Sequence, residues 1–139
     1  MLGDRYALLL ARLAVAALFI FAAVGKVSAP DAFIAGLAQG GVPYAQIAGW
    51  AGIVVEGLAA TILVTGYGSR LAALALIVFT MLATLIAHRF WEAPPEMLDL
   101  QRIQFLKNLA ICGGLLGLMV LGERGTLRSF ERGWVEPKR

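Results

Sequence analysis

Residues 71–87 read LAALALIVFTMLATLIA, and the fold turns on them. Thr80 and Thr84 are the only polar interruptions, so a helix over this stretch has no wet face and is apolar on every side, as a membrane span is. Its length approaches the ~20 residues that cross a hydrocarbon core at a rise of about 1.5 Å per residue. Reading outward in both directions, residues 47–65 and 103–121 repeat the pattern, and residues 6–24 supply a fourth span. Those three each carry an ionisable side chain that the central stretch lacks: Arg12 in the first, Glu56 in the second and Lys107 in the fourth. The whole chain agrees, with 60% of its 139 residues hydrophobic and 15% charged, where a soluble domain holds roughly half and a quarter. The expected fold is all-α, a four-helix transmembrane bundle, with residues 1–122 as one membrane domain and 123–139 as a basic cytoplasmic tail.

Several chemistries are excluded by counting. A single cysteine, Cys112, rules out an internal disulfide, a CxxC redox pair or a cysteine-cluster metal site within one chain. The single His88 cannot supply two axial imidazoles to a haem. A net charge of +3 does not point to nucleic acid, because the basic residues flank apolar spans instead of interleaving with polar surface. Outside the spans, Arg5, Arg70, Arg124, Arg128, Arg132, Lys138 and Arg139 fall on one side of the membrane, and Lys26, Arg89 and Arg102 on the other. The positive-inside rule then puts both termini in the cytoplasm. A cleavable signal peptide ending at Val27-Ser28-Ala29 is the second-ranked reading of the N-terminus, since Lys26 and Pro30 beside that site oppose cleavage.

The connections carry their own signals. Between the first two spans, Ser28 and Pro30 mark a helix start and Gly40-Gly41 a stop, with Phe33, Ile34 and Leu37 at helical spacing. This predicts a short outer-interface helix, lying in the interface or tucked over the bundle mouth. Gly66 to Ser69 form a tight turn that sets spans two and three antiparallel. After span three, Phe90 and Trp91 suit the membrane interface, and Pro94-Pro95 stops one element before the last helix begins near Glu96. In the tail, Leu127, Phe130 and Trp134 alternate with Arg124, Arg128 and Arg132, a pattern that rests on an anionic leaflet or simply fixes topology.

The ionisable side chains within the spans are the functional candidates. An unpaired charge at mid-bilayer costs about 2.5 to 3.5 kcal/mol even on a lenient scale, so such groups are paired or hydrated. Counting rise from the span ends brings Arg12 and Glu56 within side-chain reach, which makes them the expected buried ion pair. Lys26 follows Arg12 on the same helix face, and Lys107 leans toward Glu56 or snorkels outward. Thr80, Thr84 and His88 are spaced by four and stack on one side of span three, while Asn108 lies next to Lys107. The expectation is one outward-opening pocket in which Arg12, Lys26, Glu56, His88, Lys107 and Asn108 form a buried polar cluster or ligand site. Against it stand plainer readings: an ion pair that only fixes register, lysines that only anchor, and an asparagine that only joins two helices.

RLAVAALFIFAAVGKV followed by Pro30 and Phe33, GVP at Gly41 to Pro43, Glu56 in mid-span, His88-Arg89-Phe90-Trp91 and FLKNLAICGG at Phe105 to Gly114 together resemble the DoxX family of small four-helix membrane proteins. The resemblance covers the chain up to Leu121. It implies a bundle in the bacterial inner membrane, and relatives associated with thiosulfate:quinone oxidoreductase and with oxidative-stress proteins. It also implies that Arg12, Lys26, Glu56, His88, Lys107 and Asn108 occupy the family's recurrent polar positions. Three functions follow: a membrane subunit of a redox assembly that binds a quinone or small acid, a small-solute or proton transporter, and a non-catalytic assembly factor. Catalysis by this chain alone is not expected, and no cofactor signature is visible, so a quinone is the candidate ligand. The expected partners are membrane lipids, a redox protein or a second copy of the chain, and no nucleic acid.

Overall fold

The structure, a computed structural model, describes residues 2–121, with side chains described from Tyr6 onward; the expected tail at 123–139 lies outside the described residues. It is all-helical over that range: α1 (Leu2–Ser28), α2 (Pro30–Gln39), α3 (Ala45–Thr65), α4 (Ser69–Ala87), a single 3-10 turn (Phe90–Glu92) and α5 (Pro95–Leu121). Four of these helices are long and apolar enough to cross a membrane. At 27 residues each, α1 and α5 run about 40 Å. They therefore overshoot a hydrocarbon core of about 30 Å, and α3, at 21 residues, matches it.

Local chemistry sets the boundaries. Pro30 opens α2, where the missing N–H would have no helical partner, and Asp31 puts a negative charge in the first turn. Gly66, in the left-handed region at φ +80°, closes α3 by donating its N–H to the Ile62 carbonyl at 2.9 Å. Three residues later α4 begins, so α3 and α4 form a tight antiparallel hairpin. The helix breaks expected at Gly40-Gly41 and at Pro94-Pro95 fall where α2 ends and α5 starts.

The bundle ring runs α1, α3, α4, α5, with a thinner seam between α5 and α1 closing it. One end carries the first turn of α1, the end of α5 and the Gly66 turn; we call it the terminal end. The other, the α2 end, is capped by α2, which packs on α3 and α1. Of the two placements expected for the short helix, the structure has the one over the bundle mouth. Ile34 of α2 is buried in a notch at Gly49 of α3, where an added Cβ would meet Ile34 Cγ1 at 2.6 Å.

The apolar core lies in the half toward the terminal end. It gathers Ala16 and Phe19 of α1, Ala59, Ala60 and Leu63 of α3, Ala72, Ala73 and Leu76 of α4, and Leu115 and Leu118 of α5. So many alanines bring the backbones close, which is the packing mode open to helices whose surroundings are as apolar as their own side chains.

Candidate functional site

A buried ion pair joins α1 to α3, and its cation is Lys26. The Lys26 Nζ lies 2.7 Å from Glu56 Oε2 and 3.0 Å from Oε1. Glu56 is 2% exposed and Lys26 22%. Side chains on a helix lean toward its N-terminus. On α1 that lean carries Lys26 from the last turn down into the bundle, and on antiparallel α3 it carries Glu56 up toward the α2 end. The register makes the two meet, since Gly57 stands level with Ala23, one turn below Lys26: an added Cβ at Gly57 would lie 3.9 Å from the Ala23 Cβ.

The expected pairing of Arg12 with Glu56 is thus corrected. Arg12 is buried, but it precedes Lys26 by fourteen residues, about 21 Å along the axis. Glu56 stands near the level of Ala23, and that axial separation decides against the pairing.

Two aromatic rings flank the ammonium. Lys26 Nζ is 5.4 Å from the centroid of Phe33 on α2 and 5.6 Å from that of Phe79 on α4. Each is within cation–π range. An ammonium carries three N–H donors and the carboxylate takes two of them. The third makes no hydrogen bond among the described residues.

Beside this pair, a cavity of about 770 Å³ runs between α3 and α4. Lys26, Phe33 and Phe79 line its α2 end, and aliphatic side chains such as Val55, Leu74, Val78 and Leu82 line the rest. Among the described residues, Lys26 is the only charged side chain on its wall.

The other candidates form a separate arrangement on α4 and α5. Asn108 Nδ2 donates to Thr84 Oγ1 at 2.8 Å, and that hydroxyl donates to the Thr80 carbonyl at 2.6 Å. His88 Nδ1 lies 2.9 Å from Gln101 Oε1. Lys107, expected in the buried cluster, is exposed on α5 and donates to Gln104 Oε1 at 2.7 Å. The single pocket expected to gather six residues is therefore resolved into the Lys26–Glu56 pair, the α4–α5 polar ladder with Asn108 and His88, Arg12 toward the other end, and an outward lysine.

Four participants escaped the sequence reading. Gln101 stands seven residues before Asn108, two turns on one face, and that spacing was a usable signal. Phe33 had been seen only as one apolar residue of the short helix. Phe79 is one apolar residue among many in the span, and nothing in the sequence marks it. Arg89, read only as an interfacial charge, donates from its Nη2 to the Gly40 carbonyl at 3.3 Å and from Nε to that of Leu85 at 3.0 Å, tying the end of α2 to the end of α4.

The DoxX family model matches residues 7–89, a stretch that contains α2, α3, α4 and nearly all of α1. Among curated proteins, the Inner membrane protein YphA of Escherichia coli (strain K12) is 31% identical over 115 residues, which cover 83% of this chain and 82% of that protein. No solved structure matches the chain.

Proposed function

Since the chain belongs to the DoxX family and is a multi-pass inner-membrane protein, we propose that it is an accessory membrane subunit whose Lys26–Glu56 pair binds the head of a quinone. The observation that carries this reading is an ammonium held by a buried carboxylate, with one donor unused, between two phenyl rings at the end of an apolar cavity. A quinone ring suits the gap between Phe33 and Phe79, and its carbonyl oxygen accepts from the remaining Lys26 N–H. Glu56 acts as a positioning residue, holding Lys26 inward where it would otherwise snorkel. Of the two ligand classes, the small acid is disfavoured: an anion at this ammonium also meets the Glu56 carboxylate, and the pair as a whole carries no net charge to attract it.

The chain contributes binding, and electron transfer belongs to a partner redox protein. The distribution of Lys and Arg supports both termini facing the cytoplasm, which sets the α2 end, and Lys26 with it, toward the outer face. The test is titration calorimetry of the full chain in nanodiscs with a tail-free benzoquinone. Lys26→Met is expected to weaken binding by about tenfold or more, the worth of one hydrogen bond from a charged donor, with Lys26→Arg recovering part of it. Phe33→Ala, on the cap helix, weakens binding while leaving both partners of the ion pair in place. Equal affinity in all these variants sinks the reading. A transport role is the alternative, supported by the depth of Glu56 in α3; proton-coupled flux in proteoliposomes that Glu56→Gln abolishes, with no quinone bound, would replace it.

A further inference from the structure

The cavity between α3 and α4 has a roof but an open side. Over its α2 end, Phe33 sits against the Lys26 ammonium and Ile34 is locked into the Gly49 notch. Past the end of α2, Gly40 lies so close to α4 that an added Cβ would meet Ile86 Cγ2 at 2.8 Å, and Arg89 bonds its carbonyl. α2 thus lies over Lys26, fixed to α3 at Gly49 and, through the turn at Gly40, to Ile86 and Arg89.

The lateral side differs. Along it Val55, Leu74, Val78 and Leu82 are 42%, 46%, 51% and 57% exposed, facing where acyl chains lie. Small residues, Ala51 and Gly52 on α3 and Ala75 and Ala83 on α4, keep the walls low and leave the trough between the two helices. The trough follows α4 from Leu71 to Ala87, about 24 Å of helix. That is most of the thickness of a hydrocarbon core.

We infer that this trough is a chain-binding subsite, loaded sideways from the bilayer, which holds the apolar tail of an uncharged, carbonyl-headed amphiphile whose head lies at Lys26. The inference rests on the headgroup reading above and adds the route and the tail. Three features select the occupant. The trough is aliphatic and long, so it takes a chain. Its one charged wall residue is already neutralised by Glu56, so it favours an uncharged head over a phosphate or carboxylate. The unused N–H requires an acceptor, which a carbonyl supplies.

The experiment uses the full chain in nanodiscs of phosphatidylethanolamine and phosphatidylglycerol, photolabelled with a long-chain alkyl ketone bearing a diazirine midway along its chain. Labelled peptides are mapped by mass spectrometry. Label is expected to concentrate on the trough faces of α3 and α4, and Ala83→Phe, which fills the trough, is expected to cut it by about tenfold. Ala51→Phe, at an exposed wall position that folding tolerates, provides the same readout if the first variant does not fold. The same chain with a carboxylate head is expected to label less. Label spread evenly over lipid-facing positions, including Leu106 and Leu116 of α5, or label indifferent to both filling variants, overturns the inference and identifies ordinary annular lipid. If the tail-free benzoquinone binds in a Lys26-dependent way while trough labelling is absent, the chain subsite falls and the headgroup reading stands. Trough labelling that persists without any benzoquinone binding leaves the chain subsite standing and removes the headgroup reading.

Discussion

The two halves of the bundle are built on different physics. In the half toward the terminal end, ten apolar residues from all four long helices close around Ala16, Ala60, Ala73 and Leu76, each fully buried. Toward the α2 end the interior is joined by polar bonds instead: Lys26 with Glu56, Asn108 with Thr84, His88 with Gln101. In water the first half would be the stable one, since apolar burial drives folding there. In a bilayer, lipid tails are as apolar as leucine, and association depends on close packing and on polar groups that fare worse in hydrocarbon. The apolar core is therefore held by fit, the α2 half by the bonds named above, and the site lies among those bonds.

That contrast is open to measurement. The largest effect is expected from Lys26→Met, which leaves Glu56 buried without its partner and costs about 3 kcal/mol. Adding Glu56→Leu to the same chain should restore most of the loss, and reversible unfolding in mixed micelles reads both. A double variant less stable than Lys26→Met would mean the pair is not what holds α1 to α3. Next comes Ala60→Leu in the apolar half. With no space beside a fully buried alanine, overpacking is expected to cost about 2 kcal/mol, whereas an insensitive site would show that this half is loosely fitted. The smallest effects separate two hydroxyl groups' worth of polar bonding in the ladder. Asn108→Leu should cost about 0.6 to 1 kcal/mol by removing the bond to Thr84. Thr80→Val should be neutral or stabilising, because the Thr80 hydroxyl is buried with no hydrogen-bond partner among the described residues. Thermal unfolding of the two variants side by side checks the ordering.

The architecture was legible because the bilayer imposes a length and an apolarity that residues 71–87 meet without ambiguity. The stops at Gly40-Gly41, Gly66 and Pro94-Pro95 then divided the remainder, and the short helix at Pro30 announced itself by its first residue. The site was legible only in part. That Glu56 would be buried and paired follows from its place in an apolar run, and Lys26 was among the candidates for the cluster. Which cation would reach it depends on the side-chain lean and on the register of α1 against α3, and neither is written in the spacing of one helix. Lys107 shows the same limit, for its helix is apolar enough on several sides that nothing in the sequence fixes which one faces inward. The cavity was invisible because it arises between two helices, from alanines and a glycine that read as ordinary apolar filler.

The hairpin at Gly66 has a consequence for assembly. Both walls of the trough are arms of one hairpin, and Lys26, Phe33 and the Arg89 strap all come from segments that leave the ribosome before α5 does. By the time Pro95 is synthesised, every residue assigned to ligand contact already exists, and the last helix arrives as a buttress behind α4, on the side away from the lipid opening.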